Sequence, residues 1–369
     1  MRILITGADG FIGQNLRVRL NELNQHEILT FVRGQSNSEL AELVNQAGWV
    51  FHLAGINRPS DPSEFKTGNA DLTNDICQLI AKNGRKIPLV LSSSIQSCAE
   101  NDYGKSKLAA ETSLLDLNKQ TGNPVFIYRL PNVFGKWSRP NYNSVVATFC
   151  HSIARGLPIT INNADAPITL VYIDDIIVAW INLLNSDLSN LNNYQQVLPE
   201  YATTVGNIAA TIHGFRDSIQ SGIILPVGTG LTRALYSTYL SFLPVEKFAY
   251  SLVKHEDPRG VFVEMLKTPD SGQFSFFTAH PGITRGGHYH HTKTEKFLVI
   301  KGAALYRFRH IVTGEYYALT VDGATPTVVE TIPGWSHDIT NIGDDELVVM
   351  LWANEIYNHQ KPDTINFKI

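Results

Sequence analysis

The chain has 369 residues, of which 43% are hydrophobic and 17% charged, and its 30 basic and 34 acidic side chains give a net charge of −4. This length exceeds one ordinary compact core, so we expect two or three domains of the soluble globular class. The small net charge argues against a nucleic acid or an anionic membrane as partner, and no apolar run reaches membrane-spanning length.

The start of the chain and the cysteines predict a cytoplasmic protein. Residues 2–6, Arg-Ile-Leu-Ile-Thr, have the character of a first strand rather than of a signal peptide. Cys77, Cys98 and Cys150 form no CxxC pair. An odd number of cysteines without a secretory signal favours reduced thiols.

Short β-branched runs alternate with longer amphipathic stretches from residue 1 to about residue 185. This alternation is typical of βαβ units on a doubly wound parallel sheet of the Rossmann type, an α/β fold. The predicted strands are residues 3–6, 28–32, 50–53, 89–92 and 125–130, and predicted helices include 10–23, 103–121 and 205–215.

After Leu243-Pro244 the pattern changes to closely spaced strands separated by turns. The turns are predicted at residues 258–260, 269–270, 281–282, 301–302 and 322–323. This pattern predicts an all-β domain large enough for a closed barrel. We therefore expect two domains, 1–243 and 244–369, and the second holds eight of the twelve histidines.

A glycine-rich turn follows the first predicted strand and opens the first helix. Residues 6–13 read Thr-Gly-Ala-Asp-Gly-Phe-Ile-Gly. Glycines allow a tight turn, and a helix N-terminus offers free N–H groups to a pyrophosphate. Cofactor contacts are therefore predicted for Gly7, Gly10, Phe11, Ile12 and Gly13. The alternative is a turn that only packs.

The end of the second strand favours NADP(H) over NAD. An NAD enzyme usually has Asp or Glu there for the ribose 2′-hydroxyl, but this strand ends at Val32-Arg33-Gly34. An arginine suits a 2′-phosphate, although a solvated loop cation would give the same sequence. Leu53, Ala54 and Gly55, at the end of a later strand, are predicted to line the adenosine and ribose.

Tyr103 and Lys107 are four residues apart at a predicted helix start and so share one face. An unperturbed phenol has a pKa of about 10, and an adjacent ammonium and an oxidised nicotinamide would lower the pKa of Tyr103. Lys107 can also hold the ribose hydroxyls. Ser94, at the end of the preceding strand, is the predicted third member, with Ser93 left open. A packed ring and a solvated amine would be the plain alternative.

In this order, the motifs resemble the extended short-chain dehydrogenase/reductase family that acts on nucleotide sugars. The matching segments are TGxxGFIG, HLAG, SSS, YxxxK, RLPNVFG at 129–135 and VYIDD at 171–175. Dehydratase members carry an Asp-Glu pair after the serine strand, where this chain has Ile95-Gln96, so the resemblance argues against sugar dehydration. It implies nucleotide-sugar contacts from Asn132, Lys136, Asn141 and Arg155.

Three histidines and a glutamate of the β domain are predicted to hold a metal ion. Three of them, His288, His290 and Glu295, lie with Gly282 and Gly302 at the spacing of the first cupin motif. His288 and His290 point to the same face of a strand. His337, in Pro-Gly-Trp-Ser-His, resembles the ligand of the second motif, which departs from the usual spacing at Pro333-Gly334. Three imidazoles and a carboxylate suit Zn, Fe, Mn or Ni, and zinc is the first choice for a site without redox duty. A surface histidine cluster is the alternative.

A reductase followed by a metal-binding cupin (jelly-roll) barrel resembles a family of bifunctional capsular polysaccharide synthesis enzymes. The resemblance implies a UDP-sugar substrate, UDP-2-acetamido-2,6-dideoxy-β-L-arabino-hexul-4-ose. It implies that the cupin inverts C3 and that the front domain then reduces the C4 ketone with NADPH. We also expect a homodimer.

Three alternatives stay open at this point. The front domain could be a C4 epimerase with bound NAD, which would co-purify with the enzyme. The cupin could be a module that binds metal only to hold a dimer together. Least specific is a sugar-binding regulator on an inactive reductase fold, against which Ser94, Tyr103 and Lys107 count.

Overall fold

The computed structural model describes residues 1–252, 255–257, 260–262, 266, 272–355 and 360–369. The predicted turn at 269–270 lies outside the described residues, as do positions 258 and 259 of the turn at 258–260. The chain forms two compact units, residues 1–139 with 168–202 and residues 140–167 with 203–369. The division at residues 243 and 244 stays a prediction.

The first nine strands belong to the α/β part of the chain. They are β1 Arg2–Thr6, β2 Glu27–Phe31, β3 Trp49–His52, β4 Leu89–Ser94, β5 Val125–Leu130, β6 Asn132–Phe134, β7 Pro167–Tyr172, β8 Tyr194–Gln195 and β9 Tyr201–Thr204. Six of them form a parallel sheet in the order β2-β1-β3-β4-β5-β8. β6 pairs with β7, also in parallel. The predicted doubly wound parallel sheet is confirmed.

Nine α-helices are described. They are α1 Phe11–Leu23, α2 Asn37–Gln46, α3 Ser63–Phe65, α4 Leu72–Asn83, α5 Asp102–Thr121, α6 Val145–Ala154, α7 Ile173–Leu184, α8 Val205–Ser221 and α9 Gly230–Ser241. A π-helical turn, Lys66–Asp71, joins α3 to α4. No helix among the described residues combines the length and apolar character that a membrane span requires.

The core of the first unit explains why these segments become strands and helices. β3 is buried along its whole length, as a central parallel strand covered on both faces must be. α4 buries Ile76 and Ile80, four residues apart, and α5 buries Ala110 and Leu114 in the same cluster. The side chains for chemistry therefore emerge where strands end, at the carboxyl edge of the sheet.

The later strands form the predicted all-β domain. They are β10 Ala249–Ser251, β11 His255–Asp257, β12 Gly260–Phe262, β13 Gln273–Ala279, β14 Thr284–Tyr289, β15 Glu295–Lys301, β16 Ala303–His310, β17 Tyr316–Asp322, β18 Thr327–Glu330, β19 Trp335–Asn341, β20 Leu347–Ala353 and β21 Ile365–Asn366. Two antiparallel five-stranded sheets have the orders β10-β18-β15-β20-β13 and β17-β16-β19-β14-β21. This confirms the expected cupin-like architecture.

The second unit also contains three helices from before residue 244. α6, α8 and α9 pack against one another, and α9 reaches the β domain through Ser237, whose hydroxyl donates to the Thr292 carbonyl at 2.9 Å. Between the sheets, Phe297 and Phe308 lie against His337, with ring centroids 6.1 and 6.5 Å from it. The histidine thus faces the interior of the β domain.

Candidate functional site

The glycine-rich segment where β1 leads into α1 has room only for glycine at two positions. Gly7 has φ +68°, and a Cβ there would lie 2.7 Å from the Ala54 nitrogen. A Cβ on Gly13 would lie 2.3 Å from the Gly7 carbonyl oxygen. α1 begins after Gly10 without a side-chain cap, whereas Asn101 caps α5. The first N–H groups of α1 therefore suit a dinucleotide pyrophosphate.

The other predicted cofactor residues lie around this turn or at the ends of β2 and β3. Phe11 and Ile12 are the first, half-buried residues of α1, and Arg33 is exposed just beyond β2. The backbone N–H groups of Leu53 and Ala54 donate to the Thr6 hydroxyl. A Cβ on Gly55 would lie 3.1 Å from Lys107 Nζ, so the backbone there passes directly over this amine.

A buried histidine joins Thr6, at the start of the glycine-rich turn, to α4. His52 is 1% exposed, and its Nδ1 and Nε2 lie 2.7 and 2.8 Å from the hydroxyls of Thr6 and Thr73. The Thr73 hydroxyl donates to the Asn69 carbonyl, so it accepts from Nε2–H, and Nδ1 accepts from Thr6. Burial lowers the pKa of His52 to about 3, with Lys107 acting in the same direction. The ring is therefore neutral.

Asn69, which the sequence analysis missed, connects the segment after β3 to α5. Its side-chain amide bonds both backbone groups of Ile56, and its Nδ2 also donates to Ser106 Oγ at 2.9 Å. Ser106 Oγ in turn donates to the carbonyl of Tyr103. Asn69 is the buried residue of the π-helical turn, and this turn leaves no signal in the sequence pattern.

The three predicted catalytic residues come together at the end of β4 and the start of α5. Ser94 is the last residue of β4, and its hydroxyl lies near that of Tyr103. Lys107 Nζ lies 5.9 Å from the Tyr103 ring centre and donates to the Ser92 carbonyl at 3.2 Å. Phe65 packs on the same tyrosine, with ring centroids 5.7 Å apart.

Burial sets the pKa values of this pair. It raises the pKa of Tyr103, while the nearby Ser94 hydroxyl acts in the opposite direction. In the protein alone, the phenol thus keeps its proton more strongly than an exposed tyrosine, unlike the lowering we expected beside an ammonium and a nicotinamide. Burial lowers the pKa of Lys107 to about 8, against the influence of Glu111.

Ser93, the alternative to Ser94, is bound elsewhere. Its Oγ lies 2.5 Å from Oε1 of Glu111, which is fully buried in α5. Arg129 of β5 binds the same carboxylate through Nε and Nη2, the latter at 2.6 Å from Oε2. Glu111 and Arg129 therefore tie α5 to β4 and β5, a role that the sequence analysis missed.

Two of the predicted nucleotide-sugar contacts lie in the first unit. Asn132 is exposed, and its Nδ2 donates to the Thr169 carbonyl at 3.1 Å. Lys136 is 1% exposed, with Nζ 2.6 Å from Asp174 Oδ1. The buried lysine is therefore paired with a half-buried carboxylate.

The other two lie in the second unit. Asn141 is exposed with φ +55°, and its backbone N–H donates to Thr148 Oγ1. Arg155 follows α6, and its Nη1 donates to the Phe242 carbonyl at 2.9 Å. Both residues thus help to fix the local chain around α6.

The four predicted metal ligands converge inside the β domain. One ligand atom from each of His288, His290, Glu295 and His337 lies within 4.8 Å of the other three. His288 is opposite His337 in the pairing of β14 with β19. A register shift between Gly286 and His288 turns the strand there, and a Cβ on Gly286 would lie 2.8 Å from the His337 carbonyl oxygen.

The chemistry of this cluster fits a divalent cation. His290 Nε2 and His337 Nε2 lie 3.2 and 3.6 Å from Glu295 Oε2. His337 Nε2 is buried and has no hydrogen bond within 3.5 Å among the described residues. Burial opposes ionisation of Glu295, but His290 and His337 hold its pKa well below the usual value. Burial lowers the pKa of His288 to about 3, so its imidazole is neutral, as a ligand must be.

Two family models match the chain. Residues 3–195 match the NAD dependent epimerase/dehydratase family, and residues 255–365 match the polysaccharide biosynthesis C-terminal domain. The first match lies in the α/β part of the chain, and the second lies in the all-β domain.

Three individual proteins are similar to this chain over different shares of its length. A Pseudomonas aeruginosa protein named UDP-2-acetamido-2,6-beta-L-arabino-hexul-4-ose reductase is 57% identical over 99% of this chain and 98% of its own. The capsular polysaccharide assembling protein CapF from Staphylococcus aureus, in its crystal structure, is 39% identical in sequence to this chain. The two structures have a TM-score of 0.68, and the match covers both chains completely. The spore coat polysaccharide biosynthesis protein SpsL of Bacillus subtilis is 26% identical over 30% of this chain and 81% of its own.

Proposed function

From a chain that belongs to the NAD dependent epimerase/dehydratase family and carries a polysaccharide biosynthesis C-terminal domain, we propose a bifunctional nucleotide-sugar enzyme of capsule or O-antigen synthesis. The substrate is UDP-2-acetamido-2,6-dideoxy-β-L-arabino-hexul-4-ose. The β domain inverts C3, and the front domain then reduces the C4 ketone with NADPH. The product is UDP-2-acetamido-2,6-dideoxy-L-talose, a precursor of N-acetyl-L-fucosamine. The name of the Pseudomonas aeruginosa relative supports this substrate.

The placement of Ser94 beside Tyr103, one helical turn from Lys107, is the observation that carries the reductase assignment. A ketone that accepts hydride at C4 gains negative charge on its oxygen and needs a proton there. Because burial raises the pKa of Tyr103, the phenol is protonated at neutral pH and can donate that proton. Ser94 orients the phenol and the ketone oxygen, and Lys107 holds the nicotinamide ribose.

NADPH as the reductant is supported by the end of β2. Arg33 is exposed just beyond the strand, and residues 32–35, Val-Arg-Gly-Gln, contain no carboxylate. A ribose 2′-phosphate would meet a guanidinium there, whereas a free 2′-hydroxyl would lack its usual acceptor.

The C3 inversion follows from the acidity of a hydrogen next to a ketone. A base in the β domain removes this hydrogen, and a proton returned to the opposite face inverts the centre. A divalent ion held by His288, His290, Glu295 and His337, for which we propose zinc, would supply Lewis acidity at that cluster. Reduction at C4 then removes the acidifying carbonyl and makes the new configuration permanent.

The proposal is tested by NADPH oxidation with a panel of 4-keto UDP-sugars, with each product identified by NMR. We expect turnover of the arabino-hexulose and a product inverted at C3 and reduced at C4. A chain that oxidises NADPH with none of the 4-keto UDP-sugars would overturn the reductase assignment. Reduction with retained C3 configuration would overturn only the epimerase step. Light scattering of the same preparation tests the proposed homodimer.

A further inference from the structure

The C-terminal segment 360–369 folds onto the strand that carries His288. β21 pairs with the end of β14, so that Asn366 lies opposite His288 and Ile365 opposite Tyr289. The backbone N–H of Phe367 donates to the Gly287 carbonyl at 2.8 Å. Residues more than 70 positions apart in sequence are therefore fixed side by side at the edge of the metal-ligand cluster.

Within this segment, the carboxylate of Asp363 binds the loop between the ligands His290 and Glu295. It accepts hydrogen bonds from three successive backbone N–H groups, His291 to Oδ1 at 2.9 Å and Thr292 and Lys293 to Oδ2 at 2.6 and 2.8 Å. The Thr292 hydroxyl donates to the same oxygen at 3.0 Å. A carboxylate in a nest of backbone donors is a strong restraint on loop conformation.

The backbone of Asp363 also fixes the ring of His290. His290 Nδ1 donates to the Asp363 carbonyl, which fixes the proton on Nδ1 and makes Nε2 the nitrogen available to a metal ion. Nε2 is the atom that faces Glu295 Oε2 at 3.2 Å. The ring is thus held in the orientation that a metal ligand needs.

The same loop orients Glu295 through Lys293. Lys293 Nζ lies 2.7 Å from Oε1 of Glu295, while Oε2 faces the Nε2 atoms of His290 and His337. One carboxylate oxygen is therefore bound by the loop, and the other is directed into the cluster. Since Asp363 holds the backbone of Lys293, it acts on Glu295 as well as on His290.

We propose that Asp363 is a positioning residue for the metal centre, which holds residues 291–293 so that His290 and Glu295 are preorganised as ligands. This inference rests on the proposed metal site. The loop has a second attachment, because Thr292 also bonds Arg233 and Ser237 of α9. Loss of the Asp363 carboxylate should therefore loosen the ligands without unfolding the domain.

The test is the zinc affinity of the full chain, measured by competition with a chromophoric chelator, for wild type, Asp363→Asn and Asp363→Ala. Asp322→Asn and Asp322→Ala are matched controls. Asp322 also accepts two backbone N–H bonds, from Ala324 and Thr325, but in an exposed turn that contacts none of the four ligands. We expect both Asp363 variants to bind zinc about 10- to 100-fold more weakly, and the Asp322 variants to match wild type.

The absorption spectrum of the cobalt(II) form gives a second readout, since looser ligands change the d–d bands. Wild-type affinity and an unchanged cobalt spectrum in the Asp363 variants would overturn the inference alone. A wild-type chain that binds no stoichiometric zinc or cobalt would instead overturn the metal site itself. If circular dichroism shows that Asp363→Ala does not fold, the near-isosteric Asp363→Asn decides.

Discussion

The Ser93 hydroxyl lies 2.5 Å from Glu111 Oε1, at a carboxylate that also binds the Arg129 guanidinium. Its neighbour Ser94 faces the opposite way along the strand and lies near Tyr103. Ser93 thus binds a structural ion pair, whereas the adjacent Ser94 lies beside the proposed acid.

This difference predicts opposite outcomes for two matched substitutions. Ser94→Ala should lower kcat for ketone-dependent NADPH oxidation about 100-fold or more, because the proton donor loses its orienting hydroxyl. Ser93→Ala should keep kcat within a few-fold of wild type and lower the unfolding temperature, because Glu111 loses a buried hydrogen bond. Steady-state kinetics and thermal denaturation of both variants measure this. Loss of kcat in Ser93→Ala alone would reverse the assignment.

Tyr103→Phe removes the proposed proton donor and keeps the ring that packs on Phe65. We expect NADPH oxidation to fall about 100-fold or more, with a nearly unchanged Kd for NADPH, because Lys107 still holds the ribose. Fluorescence titration gives the Kd, and stopped-flow absorbance gives the rate of hydride transfer. Near wild-type turnover would refute the acid role of the phenol.

Arg33→Glu should shift cofactor preference from NADPH towards NADH. A carboxylate repels the 2′-phosphate and can accept a hydrogen bond from a 2′-hydroxyl. The quantity to compare is the ratio of kcat/KM for the two cofactors, with Arg85→Glu as a control, since Arg85 binds the Asn45 carbonyl in the last turn of α2. An unchanged ratio in Arg33→Glu would show that this guanidinium does not bind the phosphate.

The pKa of Lys107 predicts a loss of activity in mild alkali. Burial lowers this pKa to about 8, so the ammonium loses its charge as the pH rises through that value, well before an exposed lysine would. Since kcat/KM for NADPH reports the free enzyme, its pH profile should show a basic limb near pH 8. Lys107→Arg does not titrate in this range, so the limb should disappear whatever the absolute rate. A limb kept in that variant would belong to another group.

The sequence was sufficient for the features that depend on local pattern. Strand periodicity located β1 to β5 within one or two residues, and the glycines of the first turn indicated its tight geometry. The cupin spacing predicted four side chains that the structure brings within 4.8 Å. In each case neighbours in sequence, or one repeated spacing, carry the information.

The features that the sequence did not reveal depend on contacts between distant segments. Asn69 meets Ser106 across 37 positions, and Asp363 meets His290 across 73. Neither residue belongs to a motif. From the sequence alone, each polar side chain would be expected to be exposed to solvent. Their roles follow only from burial and partners, which a linear pattern does not contain.

The division of labour between the two sites gives the last prediction. If the β domain inverts C3, its base exchanges the C3 hydrogen with solvent even when no hydride can be transferred. Incubation of the 4-keto substrate in D2O without NADPH should therefore place deuterium at C3, as measured by NMR. A metal-organised site predicts that His288→Ala with His290→Ala stops this exchange.

Two control variants separate the sites in the same experiment. Tyr103→Phe should leave the exchange unchanged, because the phenol serves only the reductase step. His310→Ala is matched to the double variant, since His310 is a half-buried β-domain histidine that accepts from the backbone N–H groups of Val312 and Thr313 and packs edge-on against Trp335. It should keep the exchange wherever the variant folds. Deuterium incorporation that is lost with Tyr103 and kept in His288→Ala with His290→Ala would place both steps in the reductase domain and leave the metal centre a structural role.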